Sequence, residues 1–335
     1  MNLIFICSYL SVTDVIDTIE NEGSDFMILT SDKGLQKLFS ELYSSSKVLK
    51  LPKLCLSIKP FSTFMSDLIL LPFYKRKILN KCKEINPKKI IFYYIGWNGF
   101  ESWLIKRLSK VAQVFHRPKV DMRAIKSNNL FKQAIKTYIF SFIYGIKFKS
   151  ASFHNYPMIT IDKPFLKLVG AKRYDHIFNP NNIRKFISNR FVYSNNIKVL
   201  ILIGGEYNLD RDVYNSIMEN IYISLVKHYK SSEIGIKNHP NFPSINASWA
   251  KNSIIIDKLI PASLLCYTSE IVIAYGSAVL YEAADIGKRV ISTAYMIPTK
   301  IKGSDSNVVQ YLLDNSKSKI YFPICIDEFN DLVKV

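Results

Sequence analysis

Two short stretches hold the side chains best suited to stabilising a negative charge: Lys237-Asn-His-Pro240 and, some thirty residues later, Tyr275-Gly-Ser-Ala278. The second is the clearer. A buried apolar strand, Ile271 to Ala274, is expected to run into a Gly276-Ser277 turn, with a helix from Ala278 to Ala284 following at once. A turn of that kind aims the free N–H groups of a helix start at an anion, and the Ser277 hydroxyl is placed to cap the helix or to bond a phosphate oxygen. Ser232 to Ile236 reads as a short strand, with Lys237 and His239 at its carboxyl end, where ligands of open parallel sheets bind. Taken singly, Ser277 is an ordinary N-cap and His239-Pro240 an ordinary turn. Together, in this order, they describe a phosphate site.

The elements that must position these residues follow from the alternation along the chain. Strands are expected at Leu3 to Cys7, Phe26 to Leu29, Lys47 to Leu51, Lys89 to Ile95 and Ala112 to Phe115. Helices are expected around Asp14 to Glu20, Gly34 to Leu42, Met65 to Cys82 and Phe100 to Ser109. The pattern restarts with the apolar strand Ile197 to Ile203, a Gly204-Gly205 turn and a helix from about Asp210 to Tyr229. Strand Ile254 to Ile256, helix Ala262 to Thr268 and strand Val290 to Ala294 complete it. Such βαβ alternation implies mostly parallel sheets covered by helices. The fold class expected is α/β, two doubly wound Rossmann-like domains facing a cleft, the GT-B architecture. The domains are expected at residues 1–185 and 196–335, linked by the polar stretch Asn179 to Asn182 and then Ser188 to Asn196.

Charge is distributed unevenly. Residues 1–190 carry 31 Lys and Arg against 13 Asp and Glu, whereas residues 191–335 carry 14 of each. The excess is interleaved with aromatic and aliphatic residues, as in Phe140-Ser-Phe-Ile-Tyr-Gly-Ile-Lys-Phe-Lys149. Apolar side chains flanked by cations suit an anionic membrane surface. That partner ranks above nucleic acid, which is not expected, because no nucleic-acid-binding motif is present. The amino terminus lacks the basic lead and cleavage site of a signal peptide, and no apolar run reaches the ~20 residues of a spanning helix. The expected location is cytoplasmic, peripheral to the inner membrane. The five cysteines show no CxxC pairing, so neither a zinc site nor a disulfide framework is expected.

The order of strand, Gly-rich turn, Lys-x-His-Pro and a strand ending in Gly-Ser before a helix resembles the bacterial sialyltransferases of GT-B fold. The likeness spans about residues 196–296. More distantly it is similar to capsule Kdo transferases and teichoic-acid CDP-glycerol transferases. The resemblance implies that His239 and Ser277 contact the phosphate of a CMP-activated sugar, with Lys237, Pro240 and Gly276 in the same motifs and Gly204 and Gly205 near the nucleotide. The chain departs from that pattern in three places. Ala278 stands where a second hydroxyl is usual. Ser263, in Ile260-Pro-Ala-Ser-Leu264, stands near the place of a ribose-binding Glu, which leaves Glu282 as the nearest carboxylate. The acidic motif that supplies a general base is absent. These departures point to a related nonulosonic acid as donor sugar.

A CMP leaving group needs its growing charge stabilised, and the acceptor hydroxyl must lose a proton. Imidazole, hydroxyl and helix dipole perform the first task, so no metal and no cofactor are expected. Asp210-Arg-Asp212 reads as a helix N-terminal cluster. For the second task, the stretch from Ile85 to Ile161 offers only Glu101 and Asp121 as carboxylates. The order of preference is Asp121, Glu101, then His116. The expected activity is inverting transfer to a bacterial surface glycan, with a glycan or lipid-linked glycan as acceptor. CDP-glycerol, CMP-Kdo or a UDP-sugar as donor remains the alternative within the fold, and a non-catalytic basic protein binding membrane or nucleic acid the alternative outside it.

Overall fold

The computed structural model describes residues 1–334 except 7–8, 24, 53–60, 94–98, 118–129, 148–162, 176, 192–195, 205–209, 240–247, 251 and 299–303. The chain divides into two units, Met1–Phe178 and Asn179–Val335.

The first unit is built on a six-stranded sheet of order β3-β2-β1-β4-β5-β6. Its strands are β1 (Asn2–Phe5), β2 (Phe26–Thr30), β3 (Val48–Lys50), β4 (Lys89–Phe92), β5 (Gln113–His116) and β6 (Lys172–Arg173). Every pairing is parallel. The helices are α1 (Val12–Glu22), α2 (Lys33–Tyr43), α3 (Phe61–Glu84), α4 (Gly99–Leu108), α5 (Leu130–Tyr144) and α6 (Lys163–Leu168). α2 shows why such segments fold. The Asp32 side chain caps it by accepting from the Leu35 N–H at 2.9 Å, and Leu35, Leu38, Phe39 and Leu42 form a buried stripe at helical spacing. A buried ionic cluster ties α1 to the end of β5. The Arg117 guanidinium lies 3.1 Å from Asp14 and 3.8 Å from Asp17 and donates to the Thr18 hydroxyl, which bonds the Tyr93 hydroxyl.

The second unit starts with α7 (Pro180–Arg190), where a linker was expected. The reason is local: Asn179 caps the helix by accepting from the Asn181 N–H, Pro180 opens it, and Ile183, Phe186 and Ile187 are buried. A five-stranded parallel sheet of order β11-β10-β7-β8-β9 follows. Its strands are β7 (Val199–Ile203), β8 (Ile234–Asn238), β9 (Ile254–Ile256), β10 (Ile271–Ala274) and β11 (Arg289–Ser292). Around them lie α8 (Arg211–Leu225), α9 (Ala262–Leu265), α10 (Val279–Asp285), α11 (Ser304–Asn315) and α12 (Ile326–Val333). All five residues of β7 are buried, as a strand flanked by others and covered on both faces must be. At about 1.5–3 kcal/mol per large apolar side chain, this strand anchors the sheet.

The α/β class expected from the alternation, with two doubly wound Rossmann-like units, is therefore the one observed. Each unit is doubly wound, and two such units are the components of the GT-B class. Element ends moved by a few residues. β8 starts and finishes two residues later than expected, because a 3-10 turn occupies Ser231–Glu233. α8 stops at Leu225 rather than Tyr229.

Candidate functional site

The strand order of the second sheet creates the site. From β7 the chain winds outward through β8 to β9, then returns to the other side of β7 for β10 and continues to β11. The direction of winding reverses between β7 and β10, whose register pairs Ala274 with Leu202. Such a reversal opens a crevice at the carboxyl ends of the two strands, the general ligand position of open α/β sheets. Gly204 leaves β7 there, Gly276 and Ser277 leave β10, and His239 leaves β8 on the other flank of β7. The His239 N–H donates to the Ile203 carbonyl at 2.9 Å and so extends the ladder to the main chain of His239. Three separate stretches of sequence thus converge on adjacent strand ends.

Each predicted residue has a definite environment. His239 is half-buried, and burial, reinforced by the Lys237 charge, holds its imidazole below the usual pKa. The imidazole is therefore neutral near pH 7. The Ser277 oxygen accepts from the Val279 N–H at 3.3 Å, which leaves its own proton free to donate. Gly276 is required by packing: a Cβ there would come within 2.6 Å of the Val308 side chain of α11. Lys237 lies inside β8 rather than beyond it and is 3% exposed. Its ammonium donates to the carbonyls of Asn238 at 2.7 Å and Lys258 at 2.9 Å. Burial pulls its pKa down to about 8. It holds the turn after β9 against the end of β8.

Ser263 is buried on α9, which packs on α7 and α10. Glu282 is partly buried on α10; burial raises the pKa of both the Cys266 thiol and the Tyr311 hydroxyl, and the Glu282 charge adds to it. Asp210 is the N-cap of α8, accepting from the N–H groups of Asp212 and Val213. Gly205 and Pro240 lie outside the described residues.

Two polar residues at this edge escaped the sequence reading. The Asn238 amide oxygen and the Thr293 hydroxyl are buried without a hydrogen-bond partner among the described residues. Asn238 ends β8 and Thr293 follows β11. Buried acceptors and hydroxyls are nearly always satisfied, so both have hydrogen-bonding capacity that the described residues do not use. The signal for Asn238 was its place between Lys237 and His239; Thr293 had none. A depression of about 520 Å³, lined by Glu270, Lys288, Arg289 and Lys319 among others, lies at the starts of β10 and β11. That is the edge remote from the switch point.

Of the three base candidates, Asp121 lies outside the described residues. Glu101 sits in the first turn of α4 and is 5% exposed, beside Phe100 and Trp103 of the core. His116 ends β5 with its ring 4.9 Å from that of Phe92. Burial takes its pKa from 6.5 to about 4, too low for an effective base near neutral pH. The same shift has a consequence for stability. A folded pKa below the unfolded one means that acid favours unfolding. The contribution is intact above about pH 6.5 and disappears progressively as pH falls through about 4. It amounts to about 3 kcal/mol at most. In urea melts, His116→Gln is expected to flatten the pH dependence of stability between these limits; an unchanged slope would contradict the burial of the ring.

No protein-family model matches the chain, and no curated protein does. Among solved structures it is similar to a putative UDP-N-acetylglucosamine 2-epimerase from Listeria monocytogenes, at 11% identity over 99% of this chain and 89% of that one, with a TM-score of 0.38. It is similar to the wall teichoic acid polymerase TagF at 12% identity, over 99% of this chain and 78% of that one, with a TM-score of 0.47. A third is the glycosyltransferase SnogD from Streptomyces nogalater, at 10% identity over 93% and 87%, with a TM-score of 0.40. Likenesses this distant bring no activity to the chain. What the fold defines is a class: a chain of two Rossmann-like units, the second with its topological switch point between β7 and β10.

Proposed function

We propose that this protein is a metal-independent, inverting glycosyltransferase that moves sialic acid or a related nonulosonic acid from its CMP-activated form to a bacterial surface glycan. The observation that supports it most is the convergence of Gly204, His239 and Gly276-Ser277 on the switch-point crevice of the second sheet. The motif order shared with GT-B sialyltransferases selects CMP among nucleotides. In this reading the second unit binds the donor and the first the acceptor. Departure of the sugar leaves CMP as a phosphate monoester. The His239 imidazole, the Ser277 O–H and nearby backbone N–H groups meet its growing charge. Asn238 and Thr293 supply polar contacts to the nucleotide, and Lys237 positions the strand end that carries His239. The proton of the acceptor hydroxyl passes to a carboxylate of the first unit, Asp121 ahead of Glu101. A lipid-linked acceptor would bring the protein to the anionic inner face of the membrane.

Thermal shift with CMP, CDP, UDP and RNA tests the donor class. The reading expects the largest stabilisation from CMP. A preference for CDP or UDP would move the assignment to a CDP-glycerol or UDP-sugar transferase, and stabilisation by RNA alone would end it. Because side chains and backbone groups carry the charge, excess EDTA is expected to leave the transfer rate nearly unchanged. Loss of activity with EDTA, restored by magnesium or manganese, would return attention to Asp210 and Asp212.

A further inference from the structure

The first unit carries an apolar surface that its own core does not use. On α5, Phe131, Ile135, Tyr138 and Phe142 are 74%, 45%, 75% and 83% exposed. Spacings of four, three and four residues put them in one narrow arc of the helix, a stripe about 17 Å long at 1.5 Å per residue. The buried side of the same helix carries Phe140 and Tyr144, which belong to the core and lie half a turn away from the stripe. The stripe is therefore a second apolar face and not the margin of the first. α3 repeats the arrangement: Met65, Ile69 and Phe73 are exposed at intervals of four residues, with Leu70 beside them. One turn further the same face becomes basic, with Arg76 and Lys77 exposed. The helices meet where the Lys75 ammonium donates to the Ile143 carbonyl at 3.0 Å. Phe73 and Phe142 each lie within two residues of that joint. Isolated exposed hydrophobes are ordinary; rows at helical spacing on each of two helices joined by a hydrogen bond are not.

The charge around these rows selects the partner. The first unit carries 28 Lys and Arg against 13 Asp and Glu, and the second 17 against 14. Between residues 61 and 149 the balance is 18 to 4, and one of the four acids, Glu101, is buried. A second copy of the chain would bring an equally cationic face and be repelled. Nucleic acid would match the charge, but exposed Ile, Leu and Met offer it nothing to stack on. No described helix is long and apolar enough to cross a membrane. Apolar rows flanked by cations instead fit an interface, with the side chains sunk about 5–10 Å into the headgroup region. We infer that the α3–α5 face docks on an anionic lipid bilayer, with Ile69, Phe73, Phe131, Ile135, Tyr138 and Phe142 as the inserting side chains. The inference identifies the membrane partner of the proposed transferase and rests on that reading only for the choice of a lipid-linked acceptor.

Sedimentation of the full chain with vesicles tests it, using phosphatidylcholine alone and phosphatidylcholine mixed with phosphatidylglycerol. The wild type is expected to bind the anionic vesicles, more weakly as salt rises because screening acts within about 10 Å at 0.1 M, and to bind neutral vesicles poorly. Tyr138→Glu with Phe142→Glu, and separately Ile69→Glu with Phe73→Glu, are each expected to weaken anionic binding by about a hundredfold. The melting temperature and its shift with CMP should stay unchanged, since the replaced side chains are exposed. The corresponding Ser pairs serve if a Glu pair misfolds. Undiminished binding by both pairs, or equal wild-type binding to neutral vesicles, would overturn the inference. So would a wild-type dimer that the substitutions dissolve without loss of vesicle binding, or tighter binding to RNA that the same substitutions remove. Vesicle binding as expected, without a shift from CMP, CDP or UDP, would leave the docking face standing and remove the transferase reading.

Discussion

His239→Ala is expected to lower turnover at saturating donor by about 10²–10³-fold, the loss that follows removal of one preorganised donor from a developing oxyanion, about 2.7–4 kcal/mol. The geometry accounts for the size. The backbone N–H of His239 bonds Ile203 in the central strand, which fixes the main chain that carries the imidazole at the strand end. Its pH behaviour follows from the lowered pKa. In the free protein it is neutral near pH 7, and a bound phosphate raises its pKa. CMP affinity is therefore expected to strengthen as pH falls from about 8 to 6, with uptake of a proton by the imidazole. Titration calorimetry in two buffers of different ionisation enthalpy measures that uptake, and the dependence is expected to vanish in His239→Ala. Ser277→Ala is expected to cost less, because the backbone N–H groups remain. Near-normal turnover of His239→Ala would remove the phosphate assignment.

The second large effect concerns the base. Asp121→Asn keeps shape and hydrogen bonding but cannot accept a proton, and transfer is expected to fall by about 10²–10⁴-fold. CMP binding should be retained, since the donor residues belong to the second unit. Glu101→Gln, made in parallel, is expected to cost much less activity. Glu101 lies buried in the first turn of α4, so its replacement should register mainly in the melting temperature. The opposite pattern of rates would transfer the role to Glu101. His116 is the weakest of the three, because a group of pKa about 4 draws a hydroxyl proton poorly at neutral pH.

The sequence by itself determined the class of fold and the three stretches that make the candidate site. A continuous apolar run such as Ile271–Ala274 reports a strand buried on both faces, and period-3.6 alternation reports the buried stripe of a helix such as α2, so both are visible without their neighbours. Gly276-Ser277 and Lys-x-His are local features, legible for the same reason. Strand order is not local. Only the pairing of β10 with β7, on the side opposite β8, puts Ser277 and His239 at one edge with a reversal of winding between them. Environment was equally out of reach. Nothing in the letters shows that Lys237 donates to two backbone carbonyls, those of Asn238 and Lys258, or that Gly276 answers to Val308 of α11. The polar run after Asn179 misled because composition alone separates a linker poorly from a capped helix; three buried residues at helical spacing decide for the helix. The charge excess of the first half was plain in the sequence. That it accompanies exposed apolar rows on α3 and α5 was decided by packing, which buries one side of each helix and leaves Phe73 and Phe142 exposed.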